Sequence, residues 1–174
     1  MVDTTTTTAT SDIVMNILSQ IGYAGPLTLL IIIIVFSLYS NTPESLKMSP
    51  QTYIAIILIW QIANIFLNMA LKQIIKEPRP PNTQSINSID AIKTANDYGM
   101  PSGHTQLVFS QLTFIALILK NKLLTFIAFL QAIFTVIQRY YYKKHTALQL
   151  TIGAMIGILT GIITSFFIKK QKKQ

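Results

Sequence analysis

Apolar residues form five long blocks along the chain, and short polar segments separate them. A helix needs about 20 mostly apolar residues to cross the hydrocarbon core of a bilayer. The pattern therefore predicts an all-α protein, a polytopic transmembrane helical bundle of about five spans. The predicted spans are Pro26–Ser40, Gln51–Leu71, Thr105–Leu119, Leu123–Gln138 and Thr146–Ile168.

The two ends of the chain lack this apolar pattern. Residues 1–12 are rich in threonine, and such a low-complexity composition predicts disorder. Residues 12–22 predict a short amphipathic helix at the membrane interface. The predicted organisation is an N-terminal segment over 1–22, a membrane domain over 23–168 and a basic tail over 169–174.

Composition supports a membrane protein. The chain is 51% hydrophobic and 11% charged, whereas about 25% of residues in soluble domains are charged. It has no cysteine, which excludes disulfides and thiolate chemistry. The net charge of +8 has no soluble domain to hold it on one face, so we expect membrane lipids and no nucleic acid as partners.

Two predicted spans carry polar or small residues along one helical face. In the second span these residues are spaced by three or four positions: Gln61, Asn64, Asn68 and Lys72. In the fifth span every fourth residue belongs to the set: His145, Gln149, Gly153, Gly157 and Gly161. Polar groups are costly in hydrocarbon, so both faces should point into the bundle, and the glycines should allow close helix packing.

The alternation of the spans brings three polar clusters to one membrane face. They are KQIIKEPRP (72–80), PSGH (101–104) and RYYYKKHTALQ (139–149). Singly, a histidine at a helix start is commonly a cap, and lysines or arginines at span ends are commonly interfacial anchors. Together on one face they favour a site, and the remaining cations Lys76, Lys143 and Lys144 are interpreted as anchors.

The chemistry of these clusters indicates phosphoryl transfer. Arginine and lysine bind phosphate oxygens, and the start of a helix at Ser102–Gly103 adds backbone N–H groups. Two histidines, His104 and His145, can divide the roles of nucleophile and general acid between them. The clusters hold no set of carboxylates for a metal, so we expect neither a metal nor a cofactor. A substrate reaching such a site is predicted to be a lipid phosphate or diphosphate.

Charge distribution predicts the orientation. Seven lysines and arginines lie on each side of the predicted bundle. On the side that holds the histidines, Lys72, Arg79 and Arg139 are assigned to phosphate binding. Four lysines and arginines then remain on that side, compared with seven on the other. The positive-inside rule then places the site on the non-cytoplasmic side.

The three clusters resemble the PAP2 superfamily of membrane phosphatases, whose pattern is K-x6-RP, then PSGH, then SR-x5-H-x3-D. Lys72 and Arg79–Pro80 match the first motif, Pro101–His104 the second, and Arg139 and His145 the third. The chain departs from the pattern in having Gln138 in place of the serine and Gln149 in place of the acid. The stretches IKEPRP, GMPSGHTQ and HTALQ are most similar to the dolichyl-diphosphatase branch, which has a glutamine at the last position.

The resemblance implies a role for each matching residue. His145 would attack phosphorus and form a phosphohistidine, and His104 would protonate the leaving group and then activate water. Gln149 would orient His145 by accepting its Nδ1–H. The phosphate oxygens would be bound by Lys72, Arg79, Ser102, Gly103 and Arg139.

The expected function is hydrolysis of a polyprenyl diphosphate, such as dolichyl diphosphate, to the monophosphate. The resemblance to this branch also implies the endoplasmic reticulum membrane, with the site on the luminal side. Alternatives are a phosphatidate or undecaprenyl-diphosphate phosphatase of the same family, or a lipid-phosphate binder without catalysis. Vanadate-dependent haloperoxidases resemble the same site, but they are soluble and this chain is not.

Overall fold

The computed structural model describes residues 4–85 and 98–171. All the regular structure in these two stretches is helical. The helices in chain order are α1 (Thr4–Tyr39), the single turn α2 (Thr42–Ser45), α3 (Pro50–Ile75), α4 (Gly103–Phe114, continued by a π-helical turn over Ile115–Leu119), α5 (Lys122–Tyr141) and α6 (Ala147–Gln171).

The predicted all-α transmembrane bundle is confirmed. Among the described residues, four helical segments are long and apolar enough to cross a membrane: Asn16–Tyr39, Pro50–Ile75, Lys122–Tyr141 and Ala147–Lys170. The remaining predicted span, Thr105–Leu119, falls in a shorter apolar helix over Gly103–Leu119. The chain is therefore a multi-pass membrane protein with one short helix among the longer ones.

The first helix begins earlier than the sequence pattern predicts. Helix α1 is continuous from Thr4 to Tyr39, which corrects the predicted division of residues 4–22 into a disordered segment and a separate interfacial helix. Residues 4–21 contain neither glycine nor proline, so no residue of this stretch breaks a helix that continues backwards from the span.

Pro26 lies inside α1, and neighbouring helices satisfy the backbone around it. Because proline has no N–H, the carbonyl of Gly22, four residues earlier, loses its helical partner. Thr135 of α5 donates its hydroxyl to that carbonyl at 2.9 Å. Gln111 of α4 donates its amide Nε2 to the carbonyl of Pro26 itself, also at 2.9 Å. These bonds hold α1 against α4 and α5.

The short helix α4 lies at the centre of the bundle, in contact with α1, α3, α5 and α6. Its approach to α6 depends on glycines, because a Cβ on any of three glycines of α6 would meet a carbonyl oxygen of α4 or of its cap. The pairs are Gly153 with Ser102, Gly157 with Gln106, and Gly161 with Ser110. For Gly153 the separation would be 2.7 Å, below any normal contact. The prediction that these glycines allow close packing is confirmed.

The polar face of α3 points into the bundle, as predicted. Asn64 donates Nδ2 to the hydroxyl of Ser110 at 2.7 Å and accepts Nε2 of Gln106 at 2.6 Å. Asn68 donates Nδ2 to Oε1 of Gln106 at 2.8 Å and to the carbonyl of Pro101 at 3.2 Å. This buried network connects the membrane interior to the segment that precedes α4.

Candidate active site

The end of α3 places two of the predicted cations. Lys72 lies in the last turn, is buried, and donates Nζ to the carbonyl of Tyr98 at 2.7 Å. Lys76 adopts the left-handed conformation with φ 54°, and its N–H donates to the Lys72 carbonyl at 2.9 Å. Pro78 cannot continue the helix. The chain then crosses to the start of α6, where Arg79 donates Nη1 to the carbonyl of Lys144 at 3.0 Å.

The PSGH segment forms the start of α4. Met100–Pro101 is a cis peptide bond, and Ser102 is the N-cap residue with extended backbone. The hydroxyl of Ser102 bonds to that of Thr105 at 3.0 Å. The N–H of Ser102, expected to bind phosphate, instead donates to the carbonyl of Gln149 at 3.2 Å. We therefore expect the anion donors of this turn to be backbone N–H groups that follow Ser102 in the first turn of α4, where a helix leaves such groups without an intrahelical acceptor.

The third cluster is a tight turn between α5 and α6. Arg139 lies buried in the last turn of α5, and its carbonyl accepts the N–H of Lys144 at 3.0 Å. The first turn of α6 is closed by a capping box between Thr146 and Gln149. The N–H of Gln149 donates to Thr146 Oγ1, and the N–H of Thr146 donates to Gln149 Oε1, both at 3.2 Å. His145 therefore sits just before a rigid helix start.

Hydrogen bonds fix the protonation pattern of the His145 ring. Its Nδ1 lies 2.8 Å from the carbonyl oxygen of Gly99, which can only accept, so Nδ1 carries the proton. In the neutral ring Nε2 is then the unprotonated nitrogen. Nη1 of Arg79 lies 3.3 Å from Nε2 and donates to it. The electron pair of Nε2 therefore faces Arg79, one of the residues predicted to bind phosphate.

The environment keeps this ring neutral. Burial lowers the pKa of His145 well below its ordinary value of 6.5, and the charges of Arg79, Arg139 and Lys72 lower it further. The hydrogen bond to Gly99 acts in the opposite direction but is a smaller effect. All three predicted cations are thus close enough to act electrostatically on His145, and a neutral imidazole is the form that can attack phosphorus.

Gln149 contacts His145, but a second acceptor is closer. Oε1 of Gln149 lies 3.3 Å from Nδ1 of His145, compared with 2.8 Å for the carbonyl of Gly99. The amide Nε2 of Gln149 donates to Oε1 of Glu77 at 2.8 Å and to the carbonyl of Pro78 at 2.9 Å. A Cβ on Gly99 would collide with the Gln149 amide at about 2.5 Å. Orientation of His145 is therefore shared between a side chain and a backbone carbonyl.

The second histidine lies beside an aromatic ring from α1. The rings of His104 and Tyr23 have their centroids 5.1 Å apart with an interplanar angle of 34°. The guanidinium carbon of Arg139 lies 5.9 Å from the centroid of the same Tyr23 ring. Tyr23 therefore contacts one predicted catalytic residue and one predicted phosphate-binding residue at once.

The three neighbouring lysines interpreted as anchors differ in the structure. Lys76 and Lys143 are exposed, in agreement with that interpretation. Lys144 is fully buried, and its Nζ donates to the hydroxyl of Ser85 at 3.2 Å. The anchor interpretation is wrong for Lys144, because the tight turn after α5 directs this residue inwards.

Sequence reasoning missed four contributors to this region: Tyr23, Glu77, Gly99 and Lys144. For Glu77 the signal was its place inside KEPRP, between two assigned cations. A backbone acceptor such as Gly99, and an aromatic contact from a helix distant in sequence, leave no comparable pattern.

An apolar cavity of about 1020 Å³ opens beside His145. Its walls come from the last turns of α5 and the first turns of α6, and Phe109 of α4 contributes as well. Residues that line it include Val136, Ile137, Tyr140, Leu150 and Ala154. The cavity joins a polar, cationic end at His145 to an apolar groove between two membrane-spanning helices, which matches an amphiphile with an anionic head.

Comparison with known proteins gives consistent matches. The PAP2 superfamily profile matches residues 52–173. A dolichyldiphosphatase of Saccharomyces cerevisiae is 28% identical over 127 residues, which make up 65% of this chain and 51% of the yeast protein. The chain thus spans about half the length of that relative.

A solved structure shares the fold. It is the first transmembrane PAP2 type phosphatidylglycerolphosphate phosphatase from Bacillus subtilis, with a TM-score of 0.65 and 20% sequence identity. The match covers 90% of this chain and 77% of the Bacillus chain. At this identity the likeness supports the arrangement of helices and nothing finer.

Proposed function

Because the chain belongs to the PAP2 superfamily, we propose that it is an integral membrane phosphatase that hydrolyses a lipid phosphate through a phosphohistidine intermediate. The observation that carries this proposal is the state of His145. Its Nε2 is unprotonated and adjoins Nη1 of Arg79 at 3.3 Å, and His145 is among the residues that line the apolar cavity. A neutral nucleophile, a set of cations and a lipid-sized groove are the three things that such a reaction needs.

In the first step Nε2 of His145 attacks phosphorus, and the bond between phosphorus and the leaving oxygen breaks. His104 donates a proton to that oxygen, so the product leaves as a neutral hydroxyl or a less charged phosphate. Nδ1 of His145 keeps its proton, held by Gly99 and Gln149. The ring therefore becomes a positively charged phosphoryl-imidazolium.

In the second step water attacks the phosphoryl group. His104, now deprotonated, accepts a proton from the water, and the bond between Nε2 and phosphorus breaks. The electron pair returns to Nε2, so the neutral ring is regenerated and inorganic phosphate leaves. The contact of His104 with Tyr23 supports this role, because the same Tyr23 ring lies 5.9 Å from the guanidinium carbon of Arg139, a predicted phosphate-binding residue.

The cations bind and stabilise the phosphate in both steps. Arg79 adjoins the attacking nitrogen, and Lys72 and Arg139 are buried close enough to lower the pKa of His145. Charge on the transferring phosphoryl oxygens is spread in the transition state, and preorganised cations stabilise it without reorganisation. Ser102 and Gly103, at the start of α4, supply the helix N-terminus of the same site.

We propose a polyprenyl diphosphate, such as dolichyl diphosphate, as the substrate, cleaved to the monophosphate and phosphate. The KEPRP and GMPSGHTQ stretches and Gln149 support this choice, as does the name of the yeast relative. The groove between α5 and α6 suits a long hydrocarbon chain. Phosphatidate and undecaprenyl diphosphate are the alternative substrates, and a lipid-phosphate binder without catalysis is the alternative class.

The decisive experiment is a phosphate-release assay on purified protein in lipid nanodiscs, with a chelator present. We expect dolichyl diphosphate to be hydrolysed faster than phosphatidate, and His145→Ala to lower the rate by several orders of magnitude. Release that survives His145→Ala would exclude the phosphohistidine mechanism. A preference for phosphatidate would exclude the polyprenyl assignment, and binding without turnover would leave the non-catalytic alternative.

Two lysines of α3 provide a matched pair for the phosphate site. Lys72→Gln removes a buried cation, whereas Lys76→Gln removes an exposed one a single turn later. We expect Lys72→Gln to lower kcat/KM by roughly 10²-fold or more and Lys76→Gln to leave it near the wild-type value. Equal effects would show that general surface charge, and not the built site, attracts the substrate.

We propose the endoplasmic reticulum membrane as the location, with the active site facing the lumen. The lysines at the end of α6, Lys169 and Lys170, lie at the opposite end of that helix from His145, which supports a cytoplasmic tail. Because the chain has no cysteine, single cysteines at Thr83 and Asn121 can be labelled in sealed microsomes. An impermeant maleimide should label only Asn121→Cys before permeabilisation, and early labelling of Thr83→Cys would reverse the orientation.

A further inference from the structure

Glu77 contacts both groups that accept the Nδ1–H of His145. Its backbone carbonyl accepts the N–H of Gly99 at 2.7 Å, and the carbonyl of Gly99 accepts from His145 at 2.8 Å. Its carboxylate accepts Nε2 of Gln149 at 2.8 Å, and Oε1 of Gln149 lies 3.3 Å from the same nitrogen of His145. One residue therefore supports two separate routes to the imidazole.

The Glu77 carboxylate and the Pro78 carbonyl together determine which way the Gln149 amide points. The amide nitrogen faces Glu77 Oε1 and the carbonyl of Pro78, and an ionised carboxylate and a carbonyl can only accept. The amide oxygen must therefore face the N–H groups of Thr146 and His145. In the reversed orientation the amide nitrogen would face two donors, and His145 would lose an acceptor.

The charge of Glu77 also matters for the proposed reaction. The His145 ring becomes positive when Nε2 bonds to phosphorus and Nδ1 keeps its proton. A carboxylate that accepts from Nε2 of Gln149 polarises the amide, so that Oε1 becomes a stronger acceptor. The PAP2 pattern has an acid at position 149, where this chain has an amide. In this chain a carboxylate lies one hydrogen bond further away, on the far side of that amide.

We propose that Glu77 is a positioning residue that acts on His145 through Gln149 and Gly99, and that it supplies the negative charge which position 149 lacks. This inference rests on the proposed phosphatase function. Glu77 touches no reacting atom, so its effect passes entirely through the orientation and basicity of the two acceptors. Glu77 then supplies the carboxylate charge and Gln149 supplies the acceptor that contacts His145, so the two residues together take the place of a single carboxylate beside the histidine.

A purely structural role for Glu77 makes a different prediction. If the residue only held the segment after α3 against α6, a neutral side chain of the same shape would serve equally well. Glu77→Gln keeps the acceptor for Gln149 and removes the charge, whereas Gln149→Glu puts two carboxylates 2.8 Å apart. The double variant Glu77→Gln with Gln149→Glu restores one carboxylate and one amide, with their positions exchanged.

The test measures kcat and KM separately for the wild type, both single variants and the double variant. We expect each single variant to lower kcat by about tenfold, as for other residues that orient a functional histidine, with KM nearly unchanged. The double variant should recover most of that loss, although not all, because the carbonyl of Pro78 loses its donor. Glu44→Gln, which removes an exposed carboxylate of α2, is the matched control and should match the wild type.

Two kinetic results would overturn the inference. One is a kcat for Glu77→Gln equal to that of the control. The other is a double variant whose loss equals the product of the single losses, since an exchanged pair must show compensation. Thermal unfolding of each variant separates a damaged fold from a damaged reaction, and Glu77→Asp provides a charged variant that should retain more activity than Glu77→Gln.

A spectroscopic measurement distinguishes failure of this inference from failure of the proposed function. Protein with isotope-labelled histidine contains only two such rings. The Nδ1–H proton of His145 should move upfield in Glu77→Gln, because Oε1 of Gln149 becomes a weaker acceptor, whether or not the substrate is correctly identified. Absence of phosphate release from the wild type would refute the function alone, whereas an unmoved proton resonance would refute the role of Glu77 alone.

Discussion

Nη1 of Arg79 lies 3.3 Å from Nε2 of His145, so a permanent positive charge adjoins the nitrogen that we expect to attack phosphorus. The bond does two things at once. It places the positive charge of Arg79 beside the electron pair of Nε2, where we propose that phosphate oxygens bind, and it opposes protonation of the ring. A site that must attract anions and keep a neutral nucleophile uses the same cation for both purposes.

The first prediction concerns pH. Because burial and the three cations lower the pKa of His145 below 6.5, the folded protein keeps this ring neutral at pH values where an unfolded chain would protonate it. Folding stability should therefore fall as the pH drops below 6.5 toward the folded-state pKa. Arg79→Gln should raise the pKa of His145, because one opposing charge is removed.

Histidine-selective NMR titration checks this prediction, with His104→Asn used to assign the two rings. Lys76→Gln, at an exposed position outside the site, is the control and should leave the titration of His145 in place. A wild-type His145 that titrates at or above 6.5 would contradict the buried, cation-flanked geometry.

The second prediction concerns Tyr23, whose ring contacts both His104 and Arg139. Tyr23→Ala should lower kcat by up to about 10²-fold, because displacement of a catalytic group by about 1 Å can cost that much. Tyr23→Phe keeps the ring and should retain most activity. Comparison of the three proteins in the phosphate-release assay tests this, and equal rates for the alanine variant and the wild type would remove Tyr23 from the site.

The third prediction concerns the glycines of α6. In Gly157→Ala the new methyl group would collide with the carbonyl of Gln106, and we expect a destabilisation of about 1–3 kcal/mol from overpacking. Met155→Ala, at a position that is 60% exposed on the same helix, should change stability much less. Thermal unfolding in detergent measures both, and an unchanged midpoint for Gly157→Ala would mean that α4 can shift away from α6 at no cost.

The fourth prediction separates two buried glutamines of α4. Gln106→Leu leaves Asn64 and Asn68 without their amide partner, and Gln111→Leu does the same to Gln61. Each should destabilise the bundle by roughly 1–2 kcal/mol. Only Gln106→Leu should also lower kcat, because Asn68 binds the carbonyl of Pro101 before the active-site turn. Equal activity losses would show that the network serves stability alone.

Much of the fold followed from the sequence because a bilayer leaves few choices. Long apolar blocks must be helices, and their alternation forces residues 72–80, 101–104 and 139–149 to one face. The central position of the short helix α4 could not be predicted from its composition, because a central helix and a lipid-facing helix are both apolar. Its distinct position depends on Gly153, Gly157 and Gly161 of another helix.

Within the site, the sequence predicted side chains and missed backbone geometry. In the turn after α5 two adjacent lysines differ in exposure: Lys143 is exposed, with φ 51°, and Lys144 is fully buried. No pattern of residue types distinguishes two neighbours of identical composition. The carbonyl of Gly99 is equally invisible, because every residue has one and only the path of the chain gives it a function.

The groove lies between α5 and α6, two helices long and apolar enough to cross a membrane, and several of its walls are exposed aromatic and aliphatic side chains. The proposed lipid substrate would reach His145 through this groove without leaving the bilayer. Its encounter rate with His145 then depends on the number of substrate molecules per unit of membrane area, and dilution with inert lipid should slow turnover even when the bulk amount of substrate is constant. The substrate concentration that sets the rate is therefore a surface density in the membrane and not a concentration in the bulk volume.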